Sequence, residues 1–152
     1  MSRFIFRLQR VMEIRQQAVD EAQAYLENCK TVVSELRRLL VEQRDAYISE
    51  RELLNEAVLN GESHQYNVYE LSLETRKSRM MELLEAIRVA ESDVDIAEQH
   101  LVVCNRNLKV MENLRSKQEL EFNVAMQEKE RKFLDEQATL RFHRSAYDSS
   151  RE

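Results

Sequence analysis

Apolar residues recur at alternating steps of three and four along most of this chain, from Leu8 and Val11 through Ala18, Ala22, Tyr25, Cys29, Val32, Leu36, Leu39, Ala46 and Leu53 to Ala57. Only Arg15, Gln43 and Glu50 interrupt that series. The spacing predicts one long coiled-coil helix rather than strands or a set of short elements. A second series with the same spacing runs from Tyr66 and Tyr69 through Leu73, Met80, Leu83, Ile87, Ala90, Val94, Ala97, Leu101, Cys104, Leu108 and Met111 to Phe122 and Ala125, with Arg76, Arg115 and Gln118 as its polar members. Between the two, Asn60-Gly61-Glu62-Ser63 is the one turn-like cluster, and Asn67 followed by Glu70 reads as a capping box for the second helix. The predicted fold is all-α, a long antiparallel two-helix coiled-coil hairpin forming a single domain over 1–152. Helix 1 covers about 4–60, the turn about 60–66 and a longer helix 2 about 66–144, followed by a short disordered tail.

Composition removes the alternatives. The chain has one glycine and no proline in 152 residues, where average usage would supply roughly eleven and eight. A hairpin of this kind encloses no pocket, so its function must lie on its surface. His64, His100 and His143 are far apart, no Glu-x-x-His pair occurs, and a single glycine cannot build a phosphate-cradling loop. No enzymatic activity, metal or cofactor is therefore expected. The net charge of −5 argues against general nucleic-acid or anionic-membrane binding, both of which favour a basic surface. Residues Met1 to Met12 interleave Arg3, Arg7 and Arg10 with apolar groups, unlike a signal peptide, and no later run suits a membrane span. The expectation is a cytoplasmic chain without direct membrane insertion, its Cys29 and Cys104 reduced.

Folding the chain back at Gly61 sets a register in which paired positions sum to about 126. Glu50 then meets Arg76, Val32 meets Val94, Leu39 meets Ile87, and Ala18 and Ala22 face Leu108 and Cys104. A slip by one heptad is equally periodic and one such slip would set Cys29 opposite Cys104, but a seam carboxylate needs a cation, which favours the first register.

Two features exceed what a hairpin requires, and charge distinguishes the ends. Met12, Val19, Leu26, Val33, Leu40, Tyr47 and Leu54 form a further row at seven-residue steps, which either thickens the seam or offers a face to a partner. Helix 2 outruns helix 1, since Met1 falls opposite Ala125, leaving about twenty residues or roughly 30 Å of helix unpaired. That overhang holds Met126, Phe133, Leu134, Leu140 and Phe142 together with Lys129, Arg131, Lys132, Arg141 and Arg144. Arg3, Arg7, Arg10 and Arg15 oppose only Glu13, so the open end reads as basic, whereas Glu82, Glu85, Glu91, Asp93, Asp95 and Glu98 oppose only Arg88 and make the middle of helix 2 acidic.

The opening Phe4-Ile5-Phe6-Arg7-Leu8-Gln9-Arg10-Val11-Met12-Glu13-Ile14-Arg15 with the alanine-rich heptads behind it resembles the flagellar export protein FliJ family, and Glu130-Arg131-Lys132-Phe133-Leu134-Asp135-Glu136-Gln137-Ala138 is similar to that family's C-terminal segment. Stalk proteins of the YscO type, from non-flagellar type III secretion, share the layout. The resemblance implies a non-enzymatic protein of the export apparatus, cytoplasmic and peripherally associated with its membrane machinery. It would be a coiled coil similar to the central stalk of rotary ATPases, binding the hexameric export ATPase, promoting that ring's assembly and activity, and linking it to the export gate membrane protein and to export chaperones. Under this resemblance Phe4, Phe6, Arg7, Arg10, Arg131, Phe133, Leu134, Leu140 and Phe142 would bind the ATPase ring. Leu40, Tyr47, Tyr69 and Leu73, matching the family's aromatic and leucine residues late in helix 1 and early in helix 2, would bind the gate. The residues alone also fit a purely structural, self-associating scaffold or tether.

Overall fold

The computed structural model describes residues 2–151, and within them the chain forms two α-helices, α1 (Gln9–Leu59) and α2 (Ser63–Ser149). The fold is the predicted all-α hairpin with a longer second helix. Helix bounds differ from the sequence reading at three places. Residues 2–6 lead into α1 without being helical, and Phe6 is buried in that lead-in while its carbonyl accepts a hydrogen bond from the Gln9 N–H at 3.1 Å. α2 starts at Ser63, which puts Asn67 and Glu70 inside the helix instead of at its cap. It also continues to Ser149, through most of the stretch expected to be a tail.

The early start of α2 follows from the chemistry of the turn. Gly61 takes a positive φ of 74°, its N–H donates to the Val58 carbonyl at 3.3 Å, and the Glu62 N–H donates to the Ala57 carbonyl at 3.0 Å. These two bonds are the Schellman arrangement, which satisfies the last carbonyls of a helix through one left-handed residue. With the reversal finished by Glu62, the next residue is free to begin a helix, and no longer loop is needed.

Contacts group the described residues into 17–105 and 2–16 with 106–151. In the first unit, Val19, Ala22, Leu26, Val33 and Ala57 of α1 and Leu73, Leu83, Ile87, Ala90, Ala97 and Cys104 of α2 are buried. Polar contacts fix the register. The Arg76 Nε donates to Glu50 Oε1 at 2.8 Å, Ser72 Oγ donates to Glu50 Oε2 at 2.7 Å, and the Arg76 guanidinium reaches Gln43 Oε1 at 3.2 Å. Glu50 thus meets Arg76, and three of the residues that broke the apolar pattern, Gln43, Glu50 and Arg76, prove to be partners of one another. Cys29 and Cys104 are both free thiols.

The structure corrects which apolar rows of α1 make the seam. The row Val19, Leu26, Val33, Leu40, Tyr47 and Leu54 is buried or half-buried, while Tyr25, Val32 and Leu53 stand exposed. Val33 is 7% exposed and its neighbour Val32 is 51% exposed. Val33, not Val32, lines a groove with Val94. Three adjacent apolar rows permit two seams of equal period, since the row shared by both lies three residues from one neighbour and four from the other. Only the partner helix chooses between them. On α2 the predicted seam stands from Tyr69 to Met111.

In the second unit, residues 2–16 pack along α2 as far as Met126. The Phe4 and Phe122 rings meet with centroids 5.7 Å apart and tilted by 52°. Ser2 Oγ donates to Met126 Sδ at 3.1 Å, and Arg15 donates to the Asn107 carbonyl at 3.0 Å. Phe6, Leu108 and Met111 are buried, and the half-buried stripe then shifts to Leu114 and Met126 from the predicted Arg115 and Ala125. Carrying the stripe through leucine and methionine avoids desolvating an arginine.

Candidate functional site

Past Met126 every described residue of α2 is exposed. Phe133, Leu140 and Tyr147 follow Met126 at seven-residue steps and are 60%, 55% and 65% exposed. Residues seven apart lie on nearly the same face of a helix, so the apolar stripe that packs residues 2–16 continues here with nothing against it. Leu134 adjoins this stripe, whereas Phe142 lies about nine positions from Phe133 and therefore on the opposite side. The spacing groups Phe133, Leu134 and Leu140 but separates Phe142 from them. Tyr147 is an addition that sequence reasoning missed, although its heptad step from Leu140 was there to be read. The Arg151 guanidinium sits 5.6 Å above its ring.

The other residues expected at the ATPase ring divide by burial. Arg7 and Arg10 are exposed, and Arg10 also pairs with Glu13 at 3.6 Å. Phe4 is half-buried against Phe122 and Phe6 is 6% exposed, so these two rings hold the lead-in onto α2 and present little surface to a partner. Charge is also distributed differently from the expectation. Lys129, Arg131, Lys132, Arg141 and Arg144 stand among Glu128, Glu130, Asp135, Glu136 and Asp148, which cancel them. The basic character belongs to residues 2–16 and not to the overhang.

Near the turn, Leu40, Tyr47 and Tyr69 are half-buried and Leu73 is buried in the seam. Their side chains mainly hold α1 to α2. The apolar surface of this region consists instead of Val58, Leu59, Tyr66, Val68 and Leu71, all exposed. Val58 and Tyr66 border a shallow depression with Ala57, Gly61 and Asn67. Close beneath, Glu50 is held below the ordinary carboxylate range, first by the Ser72 hydroxyl and then by Arg76. Glu35 and Glu85 are lowered by hydrogen bonds from Arg38 and Arg88 respectively, both at the surface.

The acidic middle of α2 is partly neutralised across the seam, since Arg37 of α1 forms an ion pair with Glu91. Tyr25 is raised above its ordinary range mainly by its hydrogen bond with the Cys29 thiol. Among the described residues, no group of three or more His, Cys, Asp and Glu side chains is placed to hold a metal ion, and no helix is long and apolar enough to cross a membrane. The arrangement offers surfaces rather than a reaction centre.

Comparison with known proteins adds one match. The family model described as the flagellar FliJ protein covers residues 4–147. No curated protein and no solved structure matches the chain.

Proposed function

Because the chain belongs to the flagellar FliJ protein family and is thereby a component of the flagellar export apparatus, we propose that it works there as a non-enzymatic stalk for the hexameric export ATPase. The observation that carries this reading is the bare stripe Phe133-Leu140-Tyr147 on a stretch of α2 that no other described part of the chain covers. A single helix of this length is marginal in water. Burying each of the three side chains in a partner contributes up to about 1.5–3 kcal/mol toward docking that segment. The stripe, with Leu134 beside it and the exposed Arg7 and Arg10 of residues 2–16, makes the ring contact that promotes the ATPase's assembly and activity. Arg131 supports it through its charge, and Phe142 is peripheral.

The turn region is the second contact, toward the cytoplasmic part of the export gate membrane protein. Exposed Leu59, Tyr66, Val68 and Leu71 supply the apolar surface for it. Leu40, Tyr47 and Tyr69 contribute their exposed edges, and Leu73 supports them from within the seam. Export chaperones bind the same stalk, which places the protein in the cytoplasm at the periphery of the membrane machinery.

The direct test is removal of residues 127–152 from the full chain, followed by pulldown with the purified export ATPase and measurement of its ATP hydrolysis. Binding and stimulation should both be lost, while helicity falls only by the segment removed. Retained binding rejects the ring assignment. For the second contact, Tyr66→Ala with Leu71→Ala should weaken binding to the gate's cytoplasmic domain by roughly tenfold, as expected for aromatic and leucine anchors. Unchanged affinity there rejects the gate assignment alone.

A further inference from the structure

The bare stripe of α2 is spaced evenly about Leu140, with Phe133 seven residues before it and Tyr147 seven after, so it reads much the same in both directions along the helix. Three positions after Phe133 and Leu140 come Glu136 and His143, on one flank of the stripe, and four positions after them come Gln137 and Arg144, on the other. These four flanking residues are exposed, and none forms an ion pair with another described residue. Residues 127–151 carry six cations against five carboxylates. That near balance leaves a second copy of the same segment free to approach without repulsion.

The flanks decide direction and register. A parallel pair in register would set Lys129, Glu136 and His143 each against its own equivalent, bringing like charges together. In an antiparallel pair centred on Leu140, residues of the same flank meet. Leu140 then packs on Leu140 of the second copy and Phe133 on its Tyr147, while Glu136 accepts a hydrogen bond from its His143 and Arg144 donates to its Gln137. Two-fold symmetry makes every contact except the central one twice. At the ends Arg151 comes level with Lys129 and Glu130, one charge of each sign. A slip by one heptad either way sets Glu136 against its own copy or Arg144 against its own, so the charges hold the centred register. We infer that two copies of the chain pair through residues 127–149, antiparallel and centred on Leu140, and that this pairing masks the ring-binding stripe until the ATPase displaces it. The masking rests on the ring contact proposed above, whereas the pairing does not. Three apolar layers make a small interface, so the pair forms at about 100 µM and dissolves toward about 1 µM.

Light scattering of the full chain should read a dimer at about 100 µM and a monomer at about 1 µM. Leu140→Asp, a surface change that leaves the fold intact, should be monomeric at both. Direction is read by cross-linking in full chains that also carry Cys29→Ser and Cys104→Ala. With copper-phenanthroline as oxidant, Glu136→Cys mixed with His143→Cys should form a disulfide between copies about tenfold faster than either chain alone, because only the antiparallel pair brings those two positions within disulfide reach. The cross-linked chain should bind the export ATPase roughly tenfold more weakly than the same chain after reduction. A monomer at every concentration, a dimer that Leu140→Asp leaves intact, or Glu136→Cys cross-linking to itself as fast as to His143→Cys overturns the pairing. Undiminished ATPase binding by the cross-linked chain overturns the masking. A reduced chain that also fails to bind rejects the ring contact and the masking with it, while the pairing is decided by the sizing and the cross-link.

Discussion

Glu50 and Arg76 are a charged pair inside an apolar seam, with side chains 19% and 31% exposed. Removing one partner strands the other, so Glu50→Ala or Arg76→Ala should each destabilise the protein by about 1–3 kcal/mol in urea unfolding. Replacing both with leucine should recover most of that loss, because a well-packed apolar pair needs no desolvation of charge. The pH dependence has a definite sign. Glu50 lies below its ordinary value of 4.5 in the folded state, so its contribution is complete above that value and disappears as the pH falls through the lowered folded one. The stability difference between wild type and Glu50→Gln should therefore be constant at neutral pH and shrink below about pH 4.5. An unchanging difference down to strongly acid pH would show that the carboxylate is not held by Ser72 and Arg76. The adjacent valines give a second test at this scale. Val33→Ala should cost about 1–3 kcal/mol through a seam cavity, whereas Val32→Ala should stay within roughly 0.5 kcal/mol. Equal costs would contradict the seam described here. The partnership of Glu50 with Arg76 was legible from sequence because a seam carboxylate demands a cation. The difference between Val32 and Val33 was not, since both belong to apolar rows of period seven.

The two helices owe their limits to different causes. α1 stops where Gly61 adopts a φ of 74°, and a Cβ added there would meet nothing within 4 Å. The cost of Gly61→Ala is therefore backbone strain alone, about 1–2 kcal/mol in thermal or urea unfolding, and Gly61→Asn should cost less. An unaltered stability for Gly61→Ala would mean that the turn can reverse without a left-handed residue. The position of this turn was plain from the one glycine, but the immediate start of α2 was not. Asn67 and Glu70 supplied a plausible cap, and only the backbone bonds at Ala57 and Val58 show that the reversal is complete before them. At the other end of α1, the burial of Phe6 holds residues 2–6 out of the helix, a packing effect that periodicity does not register.

At the scale of the whole molecule, residues 127–149 stand alone while the rest of both helices is paired. Limited trypsin digestion should cut first at Lys129, Arg131 and Lys132, before sites within residues 17–105, because unpaired helix opens most readily. Saturating export ATPase should protect those sites, and undiminished cutting in its presence would argue against the proposed ring contact. Fold class, the single turn and the longer second helix were settled by the sequence itself, since breaker-free heptads on both sides of one glycine admit little else. Periodicity also exposed the overhang, for counting back from Gly61 shows where α1 runs out. Tertiary structure alone decided which two of three apolar rows face inward, because a heptad repeat specifies spacing and leaves the choice of face to the partner helix. The same choice turned Leu40 and Tyr47 toward the seam and left Tyr25 and Val32 on the outside. What a residue can bind depends on which of its sides is already occupied, and that is a property of the pair of helices rather than of either one.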